Sequence, residues 1–238
     1  MATYKQGILG SFRGKVGTVI GTYWKGRAVM RSVSPHVHNP RTPLQEAVRA
    51  RLAVVSTFVS SVLTFVNEGF RQVADSEAIT AANVAMRVNL AQAVTGSGTE
   101  VAVDYTRVRL AQGALIGLKN ATVATASTGH SVEVEWDNNS SESDAASDSD
   151  QVLFCLFNAD RMASTTKTSG VSRSNEGATL AYPSLWAGDT LYLYAATRSV
   201  VDDELSNSQR FLSAFHREPS SCYSSQLRRG TTASSQSL

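Results

Sequence analysis

The pattern of apolar residues changes near residue 100: long stretches with steps of three and four precede it, and short runs, several of them alternating, follow it. In the first part, Leu44, Val48, Leu52, Val55, Val59, Val62 and Val66 predict a buried helical face about six turns long. Thr42-Pro43-Leu44-Gln45 supplies its start: Thr42 as N-cap, Pro43 in the first turn and Gln45 reaching back from the third position. Gly69 ends or bends it. A second helix is expected over 76–94, with Ile79, Ala82, Met86, Leu90 and Ala93 on one side, and Thr95-Gly96-Ser97-Gly98 terminates it. Upstream, Val16, Thr18, Ile20, Thr22 and Trp24 fall on one face of a β-branched stretch that turns at Lys25-Gly26 into a second run, Arg27 to Val33. This predicts a β-hairpin, because glycine supplies the positive φ that tight turns need.

After residue 100, short runs rich in β-branched and aromatic residues alternate with turn signals: Val101 to Leu110, Leu115 to Ala126, Ser131 to Trp136, Gln151 to Asn158, Ala178 to Tyr182, Asp189 to Arg198 and Asn207 to Phe211. Seven such runs predict a β-sandwich of immunoglobulin or fibronectin type III style, with Trp136 filling its core. Val132, Val134 and Trp136 alternate with Glu133 and Glu135. The expected class is therefore α+β in two parts. Residues 1–100 form a basic, Gly-rich arm with a hairpin and two or three helices, 101–215 form the sandwich, and 216–238 are a Ser-rich, low-complexity tail.

Charge sharpens this division. The first fifty-one residues hold nine Lys or Arg against one acid, Glu46, while the whole chain has a formal net charge of only +2. A segment so polarised repels copies of itself and attracts acidic surfaces. Lys15, Trp24, Lys25, Arg27, Arg31, Arg41, Arg49 and Arg51 are the candidate contacts to neighbouring subunits or to nucleic acid. For nucleic acid, the basic residues would meet phosphates while Phe12, Tyr23 and Trp24 stack on bases. Against that stands a hairpin with Tyr23 and Trp24 on opposite faces, one of them buried.

The acids concentrate elsewhere. Between the runs Ser131 to Trp136 and Gln151 to Asn158 lies NNSSESDAASDSD, with Glu142, Asp144, Asp148 and Asp150. The expectation is a solvated, mobile loop, with two alternatives: a partner for another subunit's basic arm, or a calcium loop. An EF-hand would need D-x-[DN]-x-[DN]-G and a twelfth-position Glu, which this loop lacks.

Catalytic chemistry has no candidate residues. The glycines at 7, 10, 14, 17, 21 and 26 do not form G-x-x-x-x-G-K-[ST], and no G-x-S-x-G or S-x-x-K is present. The four histidines, His36, His38, His130 and His216, never take up a metal spacing with acids or cysteines. Cys155, inside an apolar run, reads as an inert core thiol, and Cys222 lies in the tail, so no disulfide framework is expected. Neither a metal nor a cofactor is predicted. No window offers the about 18 apolar residues of a membrane span, and MATYKQGILG lacks the apolar run of a secretory signal.

The strings KQGILGSFRGKVGTVIGTYWKGRAVMRS and NPRTPLQEAVRARLAVVSTF, then VDYTRVRLAQGAL, WAGDTLYLYAATRS and ELSNSQRFL, resemble a family of uncharacterised proteins encoded by Bacteroidota and their phages and prophages. The resemblance covers residues 4–212; the acidic loop and the tail after Phe215 depart from the family pattern. It implies a phage or prophage component, and the family brings no activity with it. Together with the residue patterns it leads to an expected non-enzymatic virion structural protein, in a capsid, tail or appendage. Such a protein would be made in the host bacterial cytoplasm and held to its own copies and other virion proteins by the basic arm. The alternative is a DNA-binding or packaging protein that uses the same arm.

Overall fold

The Lys25-Gly26 turn is present, with both residues at positive φ (44° and 76°), the geometry of a two-residue hairpin that follows the natural twist of its strands. In the computed structural model, which describes residues 2–4, 12–34, 41–125 and 130–211, this hairpin lies inside a four-stranded antiparallel sheet. Its strands are β1 (Ala2–Tyr4), β2 (Gly14–Val16), β3 (Val19–Trp24) and β4 (Arg27–Ser32), in the order β1-β4-β3-β2. Glycine is required at position 21, where a Cβ would stand 2.5 Å from the Phe12 carbonyl oxygen. His36, Val37 and His38, and the tail after Phe211, lie outside the described residues.

Helix α1 (Pro43–Ser61) starts where the sequence predicts, the Thr42 hydroxyl accepting from the Gln45 N–H at 3.4 Å. It does not run on to Val66. The chain leaves helical geometry at Val62 and resumes as α2 (Leu63–Gly69), bent by 87°, then continues through Phe70 into α3 (Arg71–Ser76). No proline forces the break. The bend turns Val62, Phe65, Val66 and Phe70 inward together, all of them fully buried, and tertiary packing decides the helix end here. Gly69 admits a neighbouring strand of chain, since a Cβ there would lie 2.3 Å from the Leu110 carbonyl oxygen. Helix α4 (Ala81–Gln92) begins at the Thr80 cap rather than at Ser76. Its buried Asn89 donates to the Arg109 carbonyl (2.8 Å) and accepts from the Arg109 N–H (2.9 Å), bracing the chain that follows.

One predicted sandwich strand is corrected. Within Val101 to Leu110, only β6 (Glu100–Val103) is a strand, and it pairs with β5 (Val94–Ser97) in a separate hairpin. The boundary drawn at residue 100 falls inside that hairpin. A strand that was not predicted takes the vacant place: β10 (Ala163–Lys167), whose sequence ASTTK has no apolar alternation because it is an edge strand. The three-stranded sheet runs β11-β8-β7, from β7 (Lys119–Thr125), β8 (Ser131–Asp137) and β11 (Gly177–Ala181). The four-stranded sheet runs β10-β9-β12-β13, with β9 (Gln151–Asn158), β12 (Leu191–Arg198) and β13 (Gln209–Phe211).

These two sheets enclose one core. Val132, Val134 and Trp136 of β8 meet Val152, Phe154 and Leu156 of β9 and Leu191, Leu193 and Ala195 of β12. Trp136 is buried as expected, 5.8 Å from Phe154 between ring centroids. The alternate residues of the same strands, Leu153, Cys155, Phe157, Tyr194 and Ala196, form a second core with the helices. Strands β9 and β12 are thus covered on both faces. The helices lie directly on the four-stranded sheet, so helix layer and sandwich share a core across the expected boundary.

Cys155 is fully buried, and burial pushes its thiol up to about 12. A thiol kept protonated and covered cannot act as a nucleophile. In a Cys222→Ser background, the native protein should give no colour with a thiol-specific disulfide reagent at about pH 8, and one equivalent after denaturation. Rapid native labelling would show that the helical layer opens readily.

Candidate interaction surface

Strand register sorts the predicted contact residues. Lys15 pairs with Ile20 and Ile20 with Arg31, while Trp24 pairs with Arg27. Paired residues share a face of an antiparallel sheet, and so do residues two and four apart along a strand. Lys15, Trp24, Arg27 and Arg31 therefore stand on one face of the N-terminal sheet. All four are exposed, Trp24 by 53%. Tyr23 points to the opposite face, as expected, yet it too is exposed, at 44%; the expectation that one ring is buried does not hold. Both rings lie near the hairpin tip, and neither belongs to either core.

Lys25 serves a different purpose. Its ammonium donates to the carbonyls of Ile79 and, at 3.5 Å, Ala74, tying the hairpin tip to the turn between α3 and α4. Arg41, Arg49 and Arg51 belong to the start of α1, where Arg41 and Arg49 are exposed and Arg51 reaches the Leu90 carbonyl at 3.4 Å. The eight candidates thus form a cationic sheet face, a tether and a helix start rather than one patch.

The first turns of α1 also depart from expectation. Leu44, Val48 and Leu52 are 81%, 65% and 44% exposed, whereas Val55, Val59, Val62 and Val66 are buried. The apolar stripe outruns the body it packs against. Its first three members, at i, i+4 and i+8, face solvent, on the segment that carries Arg41 and Arg49.

The acidic loop is ordered by its own acids. Asp150 is fully buried against Arg173, at 3.3 Å, and its Oδ2 also accepts from the Ser147 N–H. The Arg173 guanidinium, itself fully buried, donates to the carbonyls of Ile116 (2.9 Å) and Gly117 (3.2 Å) and to the Asn139 side chain. Asp148 accepts from Ser140 (2.5 Å) and Asn138 (2.7 Å), and those bonds hold its carboxyl below the ordinary range. Glu142 pairs with Lys119. Among the four acids proposed as a partner loop, only Asp144 bonds no described residue. A lone Arg in the polar loop VSRSN gives no sequence signal of burial, so Arg173 could not be found from spacing.

Two other carboxylates are placed for contact. Glu133 and Glu135 stand exposed on the outer face of β8, the carboxylate of each without a hydrogen bond or ion pair to a described residue. Their cross-strand neighbours are small: Ala124 and Thr179 beside Glu133, Thr122 and Gly177 beside Glu135. The hollows along this face are open and shallow, lined by Glu133, Glu135, Lys167 and Asn175 among others. Among the described residues, no group of three or more His, Cys, Asp or Glu side chains is placed to hold a metal ion. No single helix is long and apolar enough to cross a membrane.

Fold and surface define a mixed α+β protein: helices laid on two face-to-face antiparallel sheets, with a separate cationic sheet at the N-terminal side. The chain belongs to the DUF6266 family, a family of unknown function whose profile matches residues 11–211. No curated protein matches it.

Proposed function

We propose that this protein is a non-enzymatic structural component of a phage virion, in a capsid, tail or appendage, that multimerises through its N-terminal region. In this reading it is made in the bacterial cytoplasm and works in the particle, next to its own copies and other virion proteins. The observation that carries the reading is the start of α1: a stripe of Leu44, Val48 and Leu52 left in water on a helix whose other half is buried. Exposing a regular apolar stripe is unfavourable unless something covers it. The virion setting follows from the resemblance to phage and prophage proteins. The strand order supports a fibronectin type III-like sandwich: first, second and fifth strands in one sheet, and fourth, third, sixth and seventh in the other. Such a rigid two-sheet body suits display, because its loops can vary without disturbing the core.

The test is the state of assembly. Light scattering after size-exclusion chromatography should find a multimer at micromolar concentration, and Leu44→Asp with Val48→Asp should weaken association at least about tenfold while leaving the circular dichroism spectrum unchanged. A wild-type chain that stays monomeric to about 100 μM would remove the proposal. Mass spectrometry of particles from an induced host should also find the protein among virion components. A DNA-binding or packaging role is the second reading, favoured by the shared face of Lys15, Arg27, Arg31 and Trp24.

A further inference from the structure

Residues 12–34 contain no acid at all, so the N-terminal sheet cannot neutralise its own charge. The side chains of Lys15, Arg27 and Arg31 make no ion pair or hydrogen bond with any described residue, and the three are exposed on one face beside Trp24. Cations with no partner among the described residues, around an exposed indole, form a surface suited to an anionic and flat counterpart.

The chain carries such a counterpart on its far side. Glu133 and Glu135 project from β8, on the side of the three-stranded sheet that faces away from the helices. They are about 7 Å apart along the strand, while Lys15 and Arg31, flanking Ile20 on adjacent strands, are about 10 Å apart at the backbone. Long, flexible Lys and Arg side chains absorb the difference. Around the glutamates, Ala124, Thr122, Gly177 and Thr179 leave a low surface on which a Trp ring can lie. Within one copy the two faces are kept apart: Lys25 ties the hairpin tip to the α3–α4 turn, on the helical layer, and β8 presents its glutamates beyond the sandwich.

Resting on the assembly reading above, we infer that the Lys15, Arg27, Arg31 and Trp24 face of one copy docks on the Glu133 and Glu135 face of β8 in the next copy. The contact joins two different surfaces, so it is heterologous and builds a ring or a filament rather than a closed two-fold pair. Nucleic acid would satisfy the cations but would leave the two glutamates and the small-residue surface around them without a role.

Charge reversal tests this in the full-length chain. Arg27→Glu with Arg31→Glu, and separately Glu133→Lys with Glu135→Lys, should each weaken self-association at least about tenfold in sedimentation velocity. Mixing the two variants should restore assembly to within about threefold of wild type, since each reversed face then meets its complement. Rising salt should weaken the wild-type assembly, as expected for exposed charges. Melting temperatures near wild type would show that both variants fold. If the glutamate variant assembles like wild type, the inference is wrong. If, in addition, the arginine variant loses only co-purifying nucleic acid, the cationic face belongs to the DNA reading. In either case Leu44→Asp with Val48→Asp still reports on the assembly reading by itself.

Discussion

Replacing Arg173 with alanine should lower the free energy of unfolding by about 3–5 kcal/mol, the cost of removing one partner of a buried charged pair. The guanidinium is fully enclosed and joins the 116–117 segment, Asn139 and Asp150, while the backbone carbonyl of Arg173 accepts from the Trp136 indole N–H at 2.9 Å. Without the guanidinium, the Asp150 carboxylate stays buried with no countercharge, and the Ile116 and Gly117 carbonyls each lose one of two donors, keeping the Thr197 hydroxyl and the Asn139 amide respectively. The acidic loop should loosen first. Urea denaturation measures the loss, and proteolysis between residues 138 and 150 should quicken. Removing both charges, with Arg173→Ala and Asp150→Ala, should recover part of the stability, because no uncompensated ion then remains. A loss below about 1 kcal/mol in the single variant would mean that water reaches this pair.

Phe58→Ala should cost about 3–5 kcal/mol, through lost burial and the cavity left behind. Phe58 of α1 is fully buried, meets Phe157 of β9 edge-on with centroids 5.1 Å apart, and lies 5.7 Å from Tyr105. It is the point where the helical layer grips the four-stranded sheet. Circular dichroism for the helices and Trp fluorescence for the sandwich should shift together to one lower midpoint. Separate transitions, with the sandwich melting as in wild type, would show that the shared core does not couple the two layers.

The sequence made some of this arrangement visible, and the reasons differ by element. Lys25-Gly26 and Thr42-Pro43 could be read because turn and cap chemistry is local. The apolar run of β9 was legible as a strand with a core thiol, and the Val132, Val134, Trp136 alternation as a strand with one buried face; that the helices cover the second face of β9 is seen only in the structure. Strand β10 escaped because an edge strand of Ser and Thr has no apolar period. The bend at Val62 escaped because its cause is distant: the side chains of the β9–β12 sheet that Val62, Phe65 and Val66 pack against. Periodicity also marked Leu44, Val48 and Leu52 as one face with Val55 and Val59, but it carries no information about where the cover stops. In the candidate surface, charge was legible and placement was not. Only strand register shows that Lys15, Arg27 and Arg31 share a face with Trp24 while Lys25 is spent as a tether. The acids drew attention to the loop at 138–150, where they turn out to be fastened internally, and away from Glu133 and Glu135, which read as the solvent side of an ordinary strand.

Because β9 and β12 close both cores, the order of synthesis matters. Helices α1 to α4 leave the ribosome first, but the strands that cover Phe58, Phe65 and Val66 span 151–198 and emerge many seconds later at ordinary elongation rates of about 5–20 residues per second. Until then an apolar helical segment waits outside the ribosome without the sheet it packs against. Nascent chains stalled before residue 198 should therefore recruit chaperones and resist folding, and release should come abruptly once β12 inserts beside β9.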